Sequence, residues 1–117
     1  AESYQVLHYG SAHEYQPHMV TFDPNTDLGK SYLGRSGQRI ITVLCYLNDV
    51  NEGGSTVFPN INKEVFPEAG KIAVFHNCFP GTDTPNPGSL HGASPVLSGE
   101  KWAINLWFRK NKVEQEH

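Results

Sequence analysis

The chain has 117 residues, 38% of them apolar, and its 11 glycines bring that share to about 47%. This is enough apolar surface for one core and one domain, and it excludes a chain that is mainly disordered. Charged residues are only 18%, 9 basic against 12 acidic for a net charge of −3, so no basic excess recommends a nucleic acid or an anionic membrane as partner. No apolar run approaches the ~20 residues that span a bilayer, and no signal peptide or basic leader is visible. Cys45 and Cys78 each sit inside an apolar run and read as free thiols, which sets the expectation of a reducing, cytoplasmic location.

Glycine and proline, 19 residues together, cut the chain into short segments rich in Val, Ile, Tyr, Phe, Trp and Thr. Strands are expected over residues 4–9, 15–22, 39–47, 56–58, 71–77, 90–96 and 102–109. The helix candidate is a short turn around residues 26–33, capped by Asn25 or Thr26. Residues 29–38, with glycines at 29, 34 and 37, read as a flap or as an ordinary surface loop; residues 80–88, with three prolines, stand just before His91. Residues 39–47 and 71–75 barely alternate, so both are expected to be covered on two faces. Residues 111–117 read as a frayed tail to a core over 1–110. Seven or eight such strands with little helix suit an all-β jelly roll of two packed antiparallel sheets.

The last strand is the most informative. Trp102, Ile104, Leu106 and Phe108 share one face, and Lys101, Ala103, Asn105, Trp107 and Arg109 the other. The first face is expected to pack a core and the second to line a polar cavity. Six histidines (His8, His13, His18, His76, His91 and His117) exceed what composition predicts. Of these, His18 and His91 lie in turn-rich segments beside unusual partners and are candidate ligands.

An ordered series carries the functional reading. Tyr9-Gly10 precedes Glu14-Tyr15-Gln16-Pro17-His18 and Phe22-Asp23. Gln38-Arg39, Tyr46-Leu47-Asn48-Asp49 and Gly53-Gly54-Ser55-Thr56-Val57-Phe58-Pro59 follow. Pro67-Glu68-Ala69-Gly70-Lys71, Leu90-His91-Gly92-Ala93-Ser94-Pro95-Val96 and Gly99-Glu100-Lys101-Trp102 complete it. In this order it resembles the catalytic core of the prolyl 4-hydroxylase branch of the iron(II)- and 2-oxoglutarate-dependent dioxygenases, across nearly the whole chain.

The resemblance implies a double-stranded β-helix, the cupin-like jelly roll, with Fe(II) on one face bound by two histidines and a carboxylate, leaving positions for 2-oxoglutarate and O2. It implies hydroxylation of prolyl residues in a peptide or protein, with 2-oxoglutarate and O2 converted to succinate and CO2 and ascorbate as a further cofactor. His18 and His91 match the iron-binding histidines. Lys101 matches the lysine that pairs with the distal carboxylate of 2-oxoglutarate, and Tyr9 and Thr56 match hydroxyl donors to the same group. Arg39, Tyr15 and Trp107 match positions that hold the peptide, although Tyr15 and Trp107 also read as plain core aromatics.

One position departs from the pattern. The family reads His-x-Asp, and here the sequence is His18-Met19-Val20; an isopropyl group cannot ligate a metal. Asp23 could supply the oxygen if the strand bulged before Pro24. The histidines could instead hold iron with halide or water beside them, as in non-haem iron halogenases. The scaffold could also be catalytically silent and bind peptide only. A generic lectin-like or cupin-like module is the remaining reading. Family members usually carry bracing helices ahead of the core, and little precedes Tyr4, so this is either a minimal version or one with an upstream piece missing; if unbraced, the outer sheet face would expose apolar area and favour a dimer or poor solubility, and the expectation is a monomer or a homodimer.

Overall fold

A computed structural model describes residues 2–111; apart from Asn111, the expected tail, His117 included, lies outside the described residues. Among the described residues there are ten strands: β1 (Gln5–Tyr9), β2 (Tyr15–His18), β3 (Arg39–Tyr46), β4 (Glu52–Gly53), β5 (Thr56–Phe58), β6 (Lys63–Val65), β7 (Ile72–His76), β8 (His91–Ala93), β9 (Val96–Ser98) and β10 (Lys101–Arg109). They form a larger sheet in the order β1-β10-β3-β7, a smaller one in the order β2-β8-β5-β6, and the ribbon β4-β9. Every strand pairing is antiparallel. Two four-stranded sheets make the expected jelly roll, and the ribbon adds two strands to the seven or eight expected.

Several boundaries differ from the sequence reading. The segment 15–22 is a strand only as far as His18, and 90–96 divides into β8 and β9. Strands β4, β6 and β9 are two or three residues long, too short to show periodicity. The flap expected over 29–38 is mostly helix α1 (Asp27–Ser36). The Thr26 hydroxyl caps it, accepting the Gly29 N–H at 2.9 Å, and Gly37 ends it at φ 76°. Gln38 then bonds both polar groups of the Phe22 backbone, at 2.7 and 3.0 Å, which pins the helix end to the segment after β2.

Register decides which side of the larger sheet is the inside. Tyr9 pairs with Lys101, Leu7 with Ala103 and Ala103 with Tyr46; paired residues share a face. On that face Leu44, Tyr46 and Ala103 form the core, with Leu7, Val65 and Ala73 packed against it. The outer face carries the rows Val6–Ile104–Cys45–Ile72 and Leu106–Val43–Val74. The mixed face of β10 lines the cavity as expected, whereas the apolar face, expected to pack a core, carries Trp102, 40% exposed, and Phe108 outward. The covered run expected at 71–75 is corrected as well, since Ile72 and Val74 are 58% and 64% exposed. Outside β3 the shielding is partial. Both cysteines are free thiols, Cys78 buried and Cys45 partly so.

The smaller sheet leaves no room for side-chain growth at Gly92. A Cβ there would stand 2.5 Å from the Tyr15 carbonyl oxygen and 2.8 Å from the Pro17 nitrogen. Gly92→Ala is therefore expected to destabilise the fold by about 1–3 kcal/mol by forcing β2 from β8. Urea unfolding checks this as a lower midpoint at unchanged slope.

Candidate active site

The two sheets diverge around a cavity of about 500 Å³, and the histidines reach it through strand pairing. His18 on β2 is the register partner of His91 on β8, so both rings project to one side, with centroids 4.9 Å apart. Nδ1 of His91 lies 2.8 Å from the Ser89 carbonyl oxygen and Nδ1 of His18 lies 3.3 Å from that of Gln16. A carbonyl only accepts, so each Nδ1 donates, and in a neutral ring the lone pair is then on Nε2. Phe58 and Phe75 flank His91. Burial lowers the His91 pKa, with the positive charges of His18 and Lys101 adding to it against the raising effect of the Ser89 bond. The neutral imidazole, the form that ligates metals, is favoured.

Lys101 opens β10 and is 3% exposed. Its Nζ lies 4.9 Å from the Tyr9 ring centroid and 5.7 Å from that of Tyr46, and no carboxylate faces it among the described residues. Burial brings its pKa down to about 8. The Thr56 hydroxyl is 2.5 Å from the Tyr46 hydroxyl, so these two form one polar unit beside the ammonium. Burial, with a smaller contribution from Tyr15, raises the Tyr9 pKa and keeps its hydroxyl a donor. A buried ammonium over two tyrosine rings, with no carboxylate facing it among the described residues, suits a carboxylate ligand.

The other end of the cavity is built on Arg39. Its guanidinium lies between the rings of Trp107, at 4.0 Å, and Phe22, at 4.6 Å. Its Nε and Nη2 donate to the Glu2 carboxylate at 2.7 and 3.0 Å, and Nη1 reaches the Val20 carbonyl oxygen at 3.5 Å. The Trp107 indole N–H is buried without a partner among the described residues. Tyr15 tilts against the His18 ring at 4.5 Å. Thus His18, His91, Lys101, Tyr9, Thr56, Arg39, Tyr15 and Trp107 all line one cavity.

Val20 lines it as well, 8% exposed. Asp23 does not: its carboxylate accepts the Asn25 N–H at 2.8 Å in the turn before α1. Among the described residues no group of three His, Cys, Asp or Glu is placed to hold a metal. Two imidazoles therefore suit an iron ion, and no side chain of the described residues supplies the third, anionic donor. The described residues do not complete the iron site that the resemblance implies.

The sequence reading missed Tyr46, Phe22 and Glu2. Tyr46 was legible in principle, two residues beyond inward-facing Leu44 on one strand. Glu2 and Phe22 reach Arg39 only through tertiary placement.

These residues and this fold define a double-stranded β-helix oxygenase core. Residues 4–109 match the family described as the 2OG-Fe(II) oxygenase superfamily, and the chain belongs to that family, whose members use Fe(II), 2-oxoglutarate and O2. A protein of Acanthamoeba polyphaga mimivirus bearing a prolyl 4-hydroxylase name is 40% identical over 112 residues, 96% of this chain and 46% of that one. The chicken (Gallus gallus) prolyl 4-hydroxylase subunit alpha-1 is 37% identical over 114 residues, 97% of this chain and 22% of that one. Among solved structures, the 2OG complex of the viral collagen prolyl hydroxylase vCPH from Paramecium Bursaria Chlorella virus-1 superposes with a TM-score of 0.75 at 27% identity, covering 95% of this chain and 63% of that chain. The chain thus spans less than half the length of these two relatives.

Lys101 yields a stability prediction with a definite sign. The folded chain releases its proton near pH 8 and the unfolded chain holds it to the ordinary value of 10.5, so the unfolded state binds more protons between these values and ligand-free stability rises with pH across that window. Below pH 8 the buried charge costs about 3 kcal/mol. Lys101→Met is expected to raise ligand-free stability at pH 7 and to flatten the rise between pH 8 and 10.5, as read by urea denaturation at each pH.

Proposed function

We propose that the chain is the core of a prolyl hydroxylase that uses 2-oxoglutarate as co-substrate and acts on a proline-containing peptide or protein. The observation that carries this reading is the buried Lys101 ammonium, without a carboxylate of its own, in the same cavity as two backbone-anchored imidazoles. The distal carboxylate of 2-oxoglutarate would pair with Lys101, with the Tyr9 and Thr56 hydroxyls as further donors. Among the described residues lining the cavity, the other fixed cation is Arg39, which is already engaged by Glu2.

The peptide end is assigned to Tyr15, Arg39 and Trp107. An indole N–H without a partner beside a guanidinium suits peptide carbonyl groups, and aromatic faces suit the pyrrolidine ring. Fe(II) and ascorbate belong to the same reading, with Fe(II) carried by His18 and His91 as far as this chain provides donors.

The assay combines the chain with saturating Fe(II), 2-oxoglutarate, ascorbate and a proline-rich peptide, and follows succinate and peptide mass. The expected result is succinate with a matching gain of one oxygen on proline. Lys101→Met is expected to lower kcat/KM for 2-oxoglutarate at least about 30-fold, since truncating one partner of a buried charge pair costs on the order of 2 kcal/mol or more. Unchanged kcat/KM in that variant would overturn the reading.

A further inference from the structure

The larger sheet has two faces, and the cavity is lined from only one of them. Strand pairing turns twelve strand residues to the other side: two from β1, four from β10, three from β3 and three from β7. Ten of these are apolar, His8 and His76 are the other two, and none is an acid, a lysine or an arginine. Val6 and Val74, on the two edge strands, are each more than half exposed, and Trp102 and Phe108 stand out between them. A solvent-facing antiparallel sheet ordinarily carries polar side chains at such positions. Charges border the face and are paired there. Glu100 lies 3.7 Å from the His8 ring, Lys71 lies 3.5 Å from Glu68, and Lys110 lies 2.9 Å from Asp83. A charge-free centre inside a polar rim is the composition of a protein interface.

We propose that this face is a self-association surface, on which two copies of the chain pack sheet against sheet about a twofold axis. Shape favours a second copy as the occupant. Two sheets of the same twist pack face to face with their strands nearly aligned and their side chains interdigitated, and a copy has the same twist by construction. Charge favours it too. A twofold axis sets a patch against itself, so any charged side chain at its centre would meet its own likeness, and here the outward positions hold none. Size is the third point. Four strands at ~4.8 Å and the run from Trp102 to Phe108 at ~3.3 Å per residue give a face of roughly 19 by 23 Å, about 440 Å² in projection. Upright side chains raise the accessible area above that figure, towards the roughly 600–1,000 Å² per partner of a specific interface. The cavity is lined from the opposite face, so the dimer leaves it open and the proposed function is independent of this surface.

Sedimentation equilibrium of the 117-residue chain over about 1–200 μM tests the proposal. A monomer–dimer equilibrium is expected, with a Kd of about 10 μM or tighter. Val74→Glu and Val6→Glu change exposed side chains on opposite edges of the sheet. Each is expected to keep the wild-type circular dichroism and to weaken the dimer at least about 100-fold, because symmetry buries the new charge twice. Leu97→Glu is the control, since Leu97 is equally exposed but lies on β9 in the separate ribbon; its Kd is expected to match the wild type. In the wild-type chain, acrylamide quenching of Trp102 is expected to fall as the dimer forms, a readout that needs no variant. A monomer at every concentration overturns the proposal and leaves the face to a partner of different chemistry. Polydisperse aggregates without a dimer step overturn it as well. So does a dimer that survives both folded valine variants, or one whose formation leaves Trp102 quenching unchanged.

Discussion

A lysine ammonium folded into the protein interior without an acid beside it is the constraint around which the larger sheet is arranged. Lys101 begins β10, a strand with partners on both sides, so its side chain is carried inward by the same register that places Ala103 in the core. Desolvation opposes that placement and is only partly offset by the faces of Tyr9 and Tyr46. A fold selected for stability alone would place an apolar residue there. The cost is intelligible if the charge is held for a ligand, and the hydroxyls of Tyr9 and Thr56 are then part of the same site.

The outer face of the same sheet presents the complementary physics. Val6, Ile72, Val74 and Trp102 are exposed in adjoining rows, where a solvent-facing antiparallel sheet ordinarily carries polar side chains. Alternation along β10 was plain in the sequence. That the apolar face would lie outside was not, because hydrophobicity ranks Trp102, Ile104, Leu106 and Phe108 above Lys101, Asn105 and Arg109. The core instead sits behind the polar face, where Leu44 and Tyr46 from β3 close over Ala103. Periodicity gives the parity of a strand; the side that is buried depends on what the neighbouring strands bring.

The legible part of the site was the part written as ordered motifs. His18, His91, Lys101, Tyr9, Thr56, Arg39, Tyr15 and Trp107 are separated by as many as 98 positions in the chain and meet in one cavity. What escaped the sequence was local geometry. The glycines at 29, 34 and 37 suggested a loose loop, yet Gly29 lies inside a helix, where a Cβ would meet the Asp23 carbonyl oxygen at 1.8 Å, and Gly37 ends that helix. Glycine here marks close approach and termination rather than mobility. Likewise Glu2 carries no motif, and its role appears only when β1 brings the start of the chain beside Arg39 and Arg109.

Val20 acquires its significance from how little else about the histidine pair depends on a metal. His18 and His91 are set opposite one another by backbone pairing, and their Nδ1 atoms are tied to carbonyl groups of their own strand and turn. His91 is further wedged between Phe58 and Phe75. The imidazoles are therefore pre-organised by the fold, so a change at position 20 alters the donor set without first dismantling the geometry. The buried ammonium of Lys101 is likewise independent of position 20, since its surroundings come from β10, β1, β3 and β5. The lysine end and the histidine end of the cavity are thus built by different strands, and among the described residues no carboxylate lines either end.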